Sequence, residues 1–403
     1  MILTRQQLLR DLYTAYYCAK RNKSKMSYVK TWESHLRDNM ELLCDDLFYR
    51  RYKPLPSKCF IVDYPKKREI FAAMFRDRIV HHIYFNYTHE MFERTFIHDS
   101  YSCIKDRGTH YGINRITDFC RKESHNWKRK CYALHIDIRG YFMHIDRHIL
   151  LDLSMRSLDK MATHKVNIHH KERWCDVLDI DFIKWLNTVI VMLDPRDNCI
   201  IVGNSENWKG LDPNKSMLNL KDGIGLPIGN LTSQLFSNVY LNELDQYCKR
   251  KLKCKYYGRY VDDAIIVSSD KDWLLSLVTL IEHFLKEELH LNIHKGKLKI
   301  SEVHQGIEFL GAYIKPYRTY ISNETLQRVK SNFRDMLMNR HLSSSARLRT
   351  VNSYLGILSH YSSFKIRRRM FQRKEILRLG VLDDDMKKIT ERHQYFYSLF
   401  KTI

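Results

Sequence analysis

The chain has 403 residues, 44% of them hydrophobic and 12% aromatic, enough for a large core divided over two or three subdomains. Its 68 Lys and Arg against 46 Asp and Glu give a net charge of +22, which on a folded chain points to a polyanionic partner, nucleic acid before a membrane surface. No run approaches the length of a membrane span and no charged-then-apolar leader stands at Met1-Ile2-Leu3-Thr4-Arg5, so no membrane partner and a cytoplasmic location are expected. The ten cysteines contain no C-x-x-C pair, which argues against a zinc site or a disulfide framework. Adjacent histidines point in different directions on any regular element. His81-His82 and His169-His170 are therefore expected to be surface or phosphate-contacting groups rather than chelators.

In chain order, Thr4 to Asp46 has helical periodicity, with Leu8, Leu9, Leu12, Tyr13 and Tyr16 on one face and a second segment across Tyr28 to Leu43. Pro54 and Pro56 punctuate an extended stretch. Cys59 to Tyr64 and Arg68 to Met74 read as strands joined by the basic tip Pro65-Lys66-Lys67. A helical segment opens at Phe75-Arg76-Asp77-Arg78 and runs through Tyr87. SYSCIKDRGTH (Ser100 to His110) is a basic loop, and Gly112 to Glu123 an amphipathic helix. Cys131 to Ile136 is a buried strand ending in Asp137. Met155 to Ser216 is hard to read beyond a helical piece near Asp181 to Met192 and a polar connection from Asp194.

After Leu226-Pro227-Ile228-Gly229-Asn230 a helix is expected from Thr232 to Lys251, then strands on either side of Asp262-Asp263. A helix from Trp273 to Leu289 and strands near Leu291 to Ile300 and Ile307 to Ile314 follow. The remaining residues are helical and basic, with Ser322-Asn323 as a cap and Ile366-Arg367-Arg368-Arg369 in the last helical region.

The chemistry concentrates in YYGRYVDDAIIVSS, Tyr256 to Ser269. Two runs rich in Tyr, Val and Ile flank a tight hairpin turn carrying Asp262 and Asp263. Aspartate is a common turn residue, but two like charges between two such apolar runs call for a cation, and hard oxygen ligands suit Mg²⁺. Asp137 supplies a third carboxylate at a strand end, followed by Ile138-Arg139-Gly140-Tyr141-Phe142. A strand-end carboxylate beside a hairpin with two more is the arrangement that two-metal phosphoryl transfer requires.

These stretches, in this order, resemble the reverse transcriptases and more broadly the right-hand polymerases, over roughly residues 45–320. The Asp137 strand is similar to the first palm motif, LPIGNLTSQ (Leu226 to Gln234) to the second and YVDD (Tyr260 to Asp263) to the third. Lys295-Gly296-Lys297 is similar to the basic fourth motif, and Phe309-Leu310-Gly311 to the hairpin that holds the primer end. The resemblance implies a mixed α/β (α+β) right-hand polymerase. Residues 1–130 would be N-terminal helices and fingers, 131–320 a palm of antiparallel sheet with helices on one face and an insertion at about 155–222, and 321–403 a helical basic thumb.

It also implies roles. Asp137 and Asp262, with the Ile138 carbonyl, would hold two Mg²⁺ ions (Mn²⁺ as substitute), and Asp263 would support them. Phe142 would be the steric gate that favours dNTPs. Arg68, Arg76 and Arg78 would offer forked guanidinium groups to the triphosphate, joined in the nucleotide site by Ile228, Gly229, Gln234 and Lys295. Lys295 or Lys297 would protonate pyrophosphate. Tyr260 and Phe309-Leu310-Gly311 would form the primer grip, and Lys105, Arg107, Arg367, Arg368 and Arg369 would meet nucleic-acid backbone.

Ile228 stands where many reverse transcriptases have Gln, and Ser233-Gln234 where many have Ser-Pro. IGNLTSQ, SYSCIKDRGTH and VNSYLGILSHYSS (Val351 to Ser363) resemble diversity-generating retroelement enzymes, with prokaryotic antiphage-defence reverse transcriptases as close relatives. That implies error-prone cDNA synthesis from a cognate structured noncoding RNA, with a small helical basic partner protein. In the defence alternative an associated noncoding RNA is copied into repetitive or protein-primed product. A polymerase-shaped RNA-binding scaffold with dispensable chemistry and an RNA-dependent RNA polymerase are the other readings. No maturase, endonuclease or RNase H extension is expected.

Overall fold

Apolar residues at helical spacing build α1 (Arg5–Lys20), whose Leu8, Leu12, Ala15, Tyr16 and Ala19 are buried and whose first turn is capped by Thr4 accepting from the Gln7 N–H. The computed structural model describes residues 2–64, 66–167 and 171–391; Pro65 of the basic tip and the pair His169-His170 lie outside them. The segment expected as one helix across Tyr28 to Leu43 is two, α2 (Ser27–Glu33) and α3 (Leu36–Phe48). Ser34 donates to the Thr31 carbonyl and Asn39 to that of Trp32, so side chains take over carbonyls where α2 stops.

The chain continues as β1 (Lys58–Val62), β2 (Arg68–Ala72), α4 (Phe75–Glu93), α5 (Thr109–Glu123), β3 (Tyr132–Asp137), the single turn α6 (Tyr141–His144) and α7 (Arg147–Ala162). Then come α8 (Trp174–Val177), α9 (Ile180–Met192), the two-residue β4 (Ile200–Ile201) and α10 (Leu231–Gln246). β5 (Tyr256–Tyr260), β6 (Asp263–Ser268), α11 (Lys271–Leu289), β7 (Lys299–Glu302), β8 (Ile307–Phe309), β9 (Ala312–Lys315) and β10 (Arg318–Ile321) follow. The last elements are α12 (Asn323–Met338), α13 (Ser344–Ser359), α14 (Phe364–Phe371), α15 (Lys374–Leu377), β11 (Val381–Leu382) and β12 (Ile389–Thr390). Among the described residues no helix is long and apolar enough to cross a membrane.

Three expectations need correction. The helix after LPIGN ends its α geometry at Gln246 and widens into a π turn over Tyr247–Lys251. The strand expected from Leu291 is confined to Lys299–Glu302, because the His294 N–H is spent on the Asp137 carbonyl and Lys295–Lys297 coils into one 3₁₀ turn. The strand expected over Ile307 to Ile314 is broken by Leu310 and Gly311, both at positive φ (50° and 78°), which turn β8 back on β9. Within the poorly legible middle, α7 is a full helix, started by the Asp146 carboxylate accepting from the His148 and Ile149 N–H groups.

The chain divides into two compact units. The first comprises residues 1–105, 136–264 and 275–298. Its core is helical: α1 packs on α3 and α4, and α4 packs on α7, α9 and α10. Beside it β1 pairs antiparallel with β2, Phe60 opposite Ile70, and parallel with β4. The second unit comprises residues 106–135, 265–274 and 299–403. There Tyr132–His135 of β3 pairs antiparallel with β7, β8, β9 and β10 form a meander, and Phe333 of α12 meets Phe371 of α14 edge-on at 5.0 Å. Asn352 of α13 donates to and accepts from Ile389, clamping the β11–β12 hairpin. β3 and β6 each run from one unit into the other.

Candidate active site

The first unit holds all three aspartates. β5 and β6 are joined by the two-residue loop Val261-Asp262; Asp263 is the first residue of β6 rather than part of the loop. Asp137 ends β3, and the next residue donates its N–H to the Asp262 carbonyl at 3.2 Å, which sets the two chains side by side. On its other edge the Asp137 carbonyl accepts from the His294 N–H at 2.7 Å, and Ile138 bridges to Ile293. Backbone pairing thus brings Asp137, Asp262 and the Lys295–Lys297 turn to one place.

The electrostatics are those of crowded carboxylates. Burial first, then the charges of Asp137 and Asp263, push the Asp262 carboxyl up to about 6, while the charge of Lys297 pulls the other way. Lys297 Nζ lies 2.6 Å from Asp137 Oδ2, and the Asp137 side chain is only 14% exposed. Lys295, by contrast, is 86% exposed and among the described residues reaches only Glu282, at 4.0 Å. Of the two lysines it is therefore Lys297, not Lys295, that stands at the carboxylates. Among the described residues no three His, Cys, Asp or Glu side chains converge tightly enough to hold a metal ion on their own. Lys297 lies against Asp137 at the edge of the three carboxylates. An oxygen-only donor set whose negative charge one ammonium balances incompletely nevertheless suits a hard divalent cation. Asp137 and Asp262, with Asp263 beside them, are the residues that would hold it.

The nucleotide-side residues meet on one apolar cluster. Phe142 and Ile228 pack against Cys59, Phe71, Met143 and Met217, so the expected gate and the Ile228 substitution share a surface. The Leu226 N–H donates to the Phe142 carbonyl at 2.8 Å and the Phe71 N–H to that of Ile228 at 3.1 Å. Gly229 sits at φ +128°, and a Cβ there would lie 2.9 Å from Ile70 and 3.2 Å from the Phe71 carbonyl, so only glycine fits against β2. Asn230 accepts from the Ala73 N–H at 3.2 Å, pinning the start of α10 to the residue that follows β2. Gln234 is exposed, with Cys103 Sγ 3.7 Å from its carbonyl oxygen.

The three arginines separate. Arg76 pairs with Asp46 at 2.6 Å and donates to the Lys53 carbonyl; Arg78 donates to the Ala73 carbonyl and the Tyr28 hydroxyl. Both are engaged in holding α4. Arg68, at the head of β2, is exposed.

His81 also departs from expectation. It is buried, 2.8 Å from the Thr232 hydroxyl, so it packs α4 on α10 instead of facing solvent. Tyr260 is half-buried at the end of β5, and Lys105 is exposed.

The other expected residues belong to the second unit. Phe309 is buried there, 6.4 Å from the His135 ring, so its side chain serves the core while Leu310 and Gly311 form the turn. Arg367 is buried as well and donates to the Asp385 and Met386 carbonyls, a structural task that removes it from the expected backbone contacts. Arg368 and Arg369 are exposed, and Arg107 is half-buried.

Sequence reasoning missed the groups beneath the hairpin. Arg259 and Asp245 form a fully buried pair at 2.6 Å, and Ser102 and Asn238 adjoin it. The available signal was an arginine inside an otherwise apolar strand, which needs a buried acid. Glu69 was missed too. It is buried in β2 and gathers Trp208, Ser216 and the Met217 N–H at 2.6–2.8 Å, tying the polar connection to the strand that carries Arg68.

Protein YkfC of Escherichia coli (strain K12) is 23% identical over 319 residues, covering 69% of this chain and 72% of that protein. Among solved structures, telomerase from Candida albicans in complex with a TWJ fragment of telomeric RNA aligns at 14% identity with a TM-score of 0.46, and apo telomerase from Candida tropicalis at 13% and 0.45. These alignments take in 88% and 81% of this chain, which spans only 60% and 61% of the telomerase chains. Residues 64–314 match the family described as Reverse transcriptase (RNA-dependent DNA polymerase), and the chain belongs to that family.

Proposed function

We propose that the protein synthesises cDNA from dNTPs on a cognate structured noncoding RNA, as an error-prone enzyme of the retroelement type. The observation that carries the reading is the convergence of Asp137, Asp262 and Lys297, with Asp263 beside them. Two divalent cations bound by these carboxylates, Mg²⁺ in this reading, would supply charge neutralisation and an acidified 3′-hydroxyl. The chain's own part is orientation and proton management. In this reading Asp137 and Asp262 fix the reacting end, Lys297 gives a proton to departing pyrophosphate, and the exposed Arg68 offers the triphosphate its guanidinium. Phe142 presents an aromatic face where the sugar would lie, and the neighbouring Ile228 gives the base no polar contact, which supports the error-prone reading.

Residues 1–130, 131–320 and 321–403 would then act as fingers, palm and thumb, and the exposed Arg368 and Arg369 would meet duplex backbone. Sequencing the cDNA made in cells tests the assignment. Adenine-biased errors in copies of one template RNA are expected; concatemeric or homopolymeric cDNA would replace this reading with the antiphage-defence one.

A further inference from the structure

Val261 is the first residue of the two-residue loop between β5 and β6, and its φ is +54°. That position in tight hairpins normally falls to glycine or asparagine, since a β-branched side chain enters the left-handed region only under strain. Both of its peptide groups are held from below. The Val261 N–H donates to Ser102 Oγ at 3.1 Å, and its carbonyl accepts from Arg259 Nη1 at 2.7 Å.

Arg259 is itself fixed. It is fully buried, and its Nε and Nη2 fork onto the two oxygens of Asp245 at 2.7 and 2.6 Å, while the Tyr257 hydroxyl donates to the same carboxylate at 2.6 Å. Asn238 closes the ring. Its amide donates to the Ser102 carbonyl at 2.8 Å, and its oxygen accepts from the Ser102 hydroxyl at 3.1 Å and from Arg259 at 3.4 Å. The Ser102 hydroxyl thus gives its proton to Asn238 and a lone pair to Val261. Backbone bonds hold the segment against β5: the Arg259 N–H donates to Asp99 and the Tyr101 N–H to Arg259, both at 2.9 Å. The approach is possible because residue 258 is glycine; a Cβ there would lie 2.2 Å from the Tyr101 hydroxyl.

Ser102, Asn238, Asp245 and Arg259 are all buried. What they touch is the one strained residue next to Asp262. The strain and the mutual repulsion of Asp137, Asp262 and Asp263 both favour a relaxed loop, and the clamp opposes them. We propose that Ser102, Asn238, Asp245 and Arg259 are positioning residues that hold Val261 left-handed and thereby set where Asp262 and Asp263 stand. The proposal rests on reading those aspartates as the catalytic carboxylates.

Removing Arg259 would strand a buried Asp245 and risk the fold, so the test uses Ser102→Ala, Val261→Gly and their combination. Hydrogen exchange on the full chain reads the clamp without reference to catalysis. Ser102→Ala should speed exchange at the Tyr260 to Asp263 amides while leaving α4 and α10 protected; unchanged exchange there overturns the clamp. Kinetics on a primed RNA with dNTPs and Mg²⁺ read its consequence. Ser102→Ala should lower kcat by about tenfold with the KM for dNTP within about twofold, and the loss should shrink below about threefold in the Val261→Gly background, since glycine holds positive φ unaided. No loss, or an equal loss in both backgrounds, would show that the clamp does not position the carboxylates. An Asp262→Asn variant that stays active would instead overturn the catalytic reading of the aspartates and leave the exchange result standing.

Discussion

At the scale of single residues, the site turns on which lysine meets which carboxylate. Lys295 and Lys297 are indistinguishable as letters in Lys295-Gly296-Lys297; the 3₁₀ turn decides, placing one on Asp137 and the other 86% exposed. Lys297→Met should therefore lower the rate of dNTP incorporation by about 10- to 100-fold, the range of a lost general acid, whereas Lys295→Met should stay within about twofold. Single-turnover rates on one primed RNA compare the two directly. Phe142 is the expected gate by the resemblance to the polymerase motifs, and it packs with Ile228 on one apolar cluster. Phe142→Ala is expected to reduce discrimination against ribonucleotides by about tenfold or more, read as the ratio of kcat/KM for dNTP and NTP. Unchanged discrimination would remove Phe142 from the gate. Arg76, Arg78 and Arg367 look equally suited to phosphate in the sequence, yet each is taken by a carboxylate, carbonyl or hydroxyl that no local pattern announces.

At the scale of elements, short apolar strands and amphipathic helices were readable because their periodicity is local. The hairpin around Asp262, the Asp137 strand and α10 all lie close to where the pattern puts them. What was not readable depends on distant partners. His81 faces α10 and not solvent because Thr232, 151 residues away, takes its ring nitrogen. Burial first, with the nearby positive charges of His82 and Arg78, lowers the His81 pKa to about 4 from an ordinary 6.5. A histidine kept neutral in the folded state binds its proton more readily when unfolded, so its contribution is intact above pH 6.5 and is lost as pH falls toward 4. At pH 5 this amounts to about 2 kcal/mol. Denaturant melts at pH 7.5 and 5.0 should show a larger loss of stability on acidification in wild type than in His81→Asn; equal losses would mean that His81 makes no such contribution.

At the scale of the whole molecule, the excess of 22 positive charges was the earliest signal and stays consistent with the exposed Arg68, Lys105, Arg368 and Arg369. Phosphate contacts by such groups release counterions, so RNA affinity should fall steeply and log-linearly between about 50 and 200 mM salt. A flat response would contradict the reading of that charge as a nucleic-acid footprint. The mixed α/β class and the order of the motifs were legible over most of the chain. The division into compact units was less so, because β3 and β6 each belong to both, and no change in composition marks where a strand passes from one to the other.

The most direct test of the catalytic reading is dNTP incorporation on a primed RNA by the full chain carrying Asp262→Asn or Asp137→Asn, with RNA binding measured on the same preparations. Removing either carboxylate should abolish incorporation, a loss of at least about 10³-fold, while RNA binding stays within about twofold of wild type. Incorporation that survives both substitutions would show that the Val261-Asp262 hairpin and the end of β3 are not the catalytic centre.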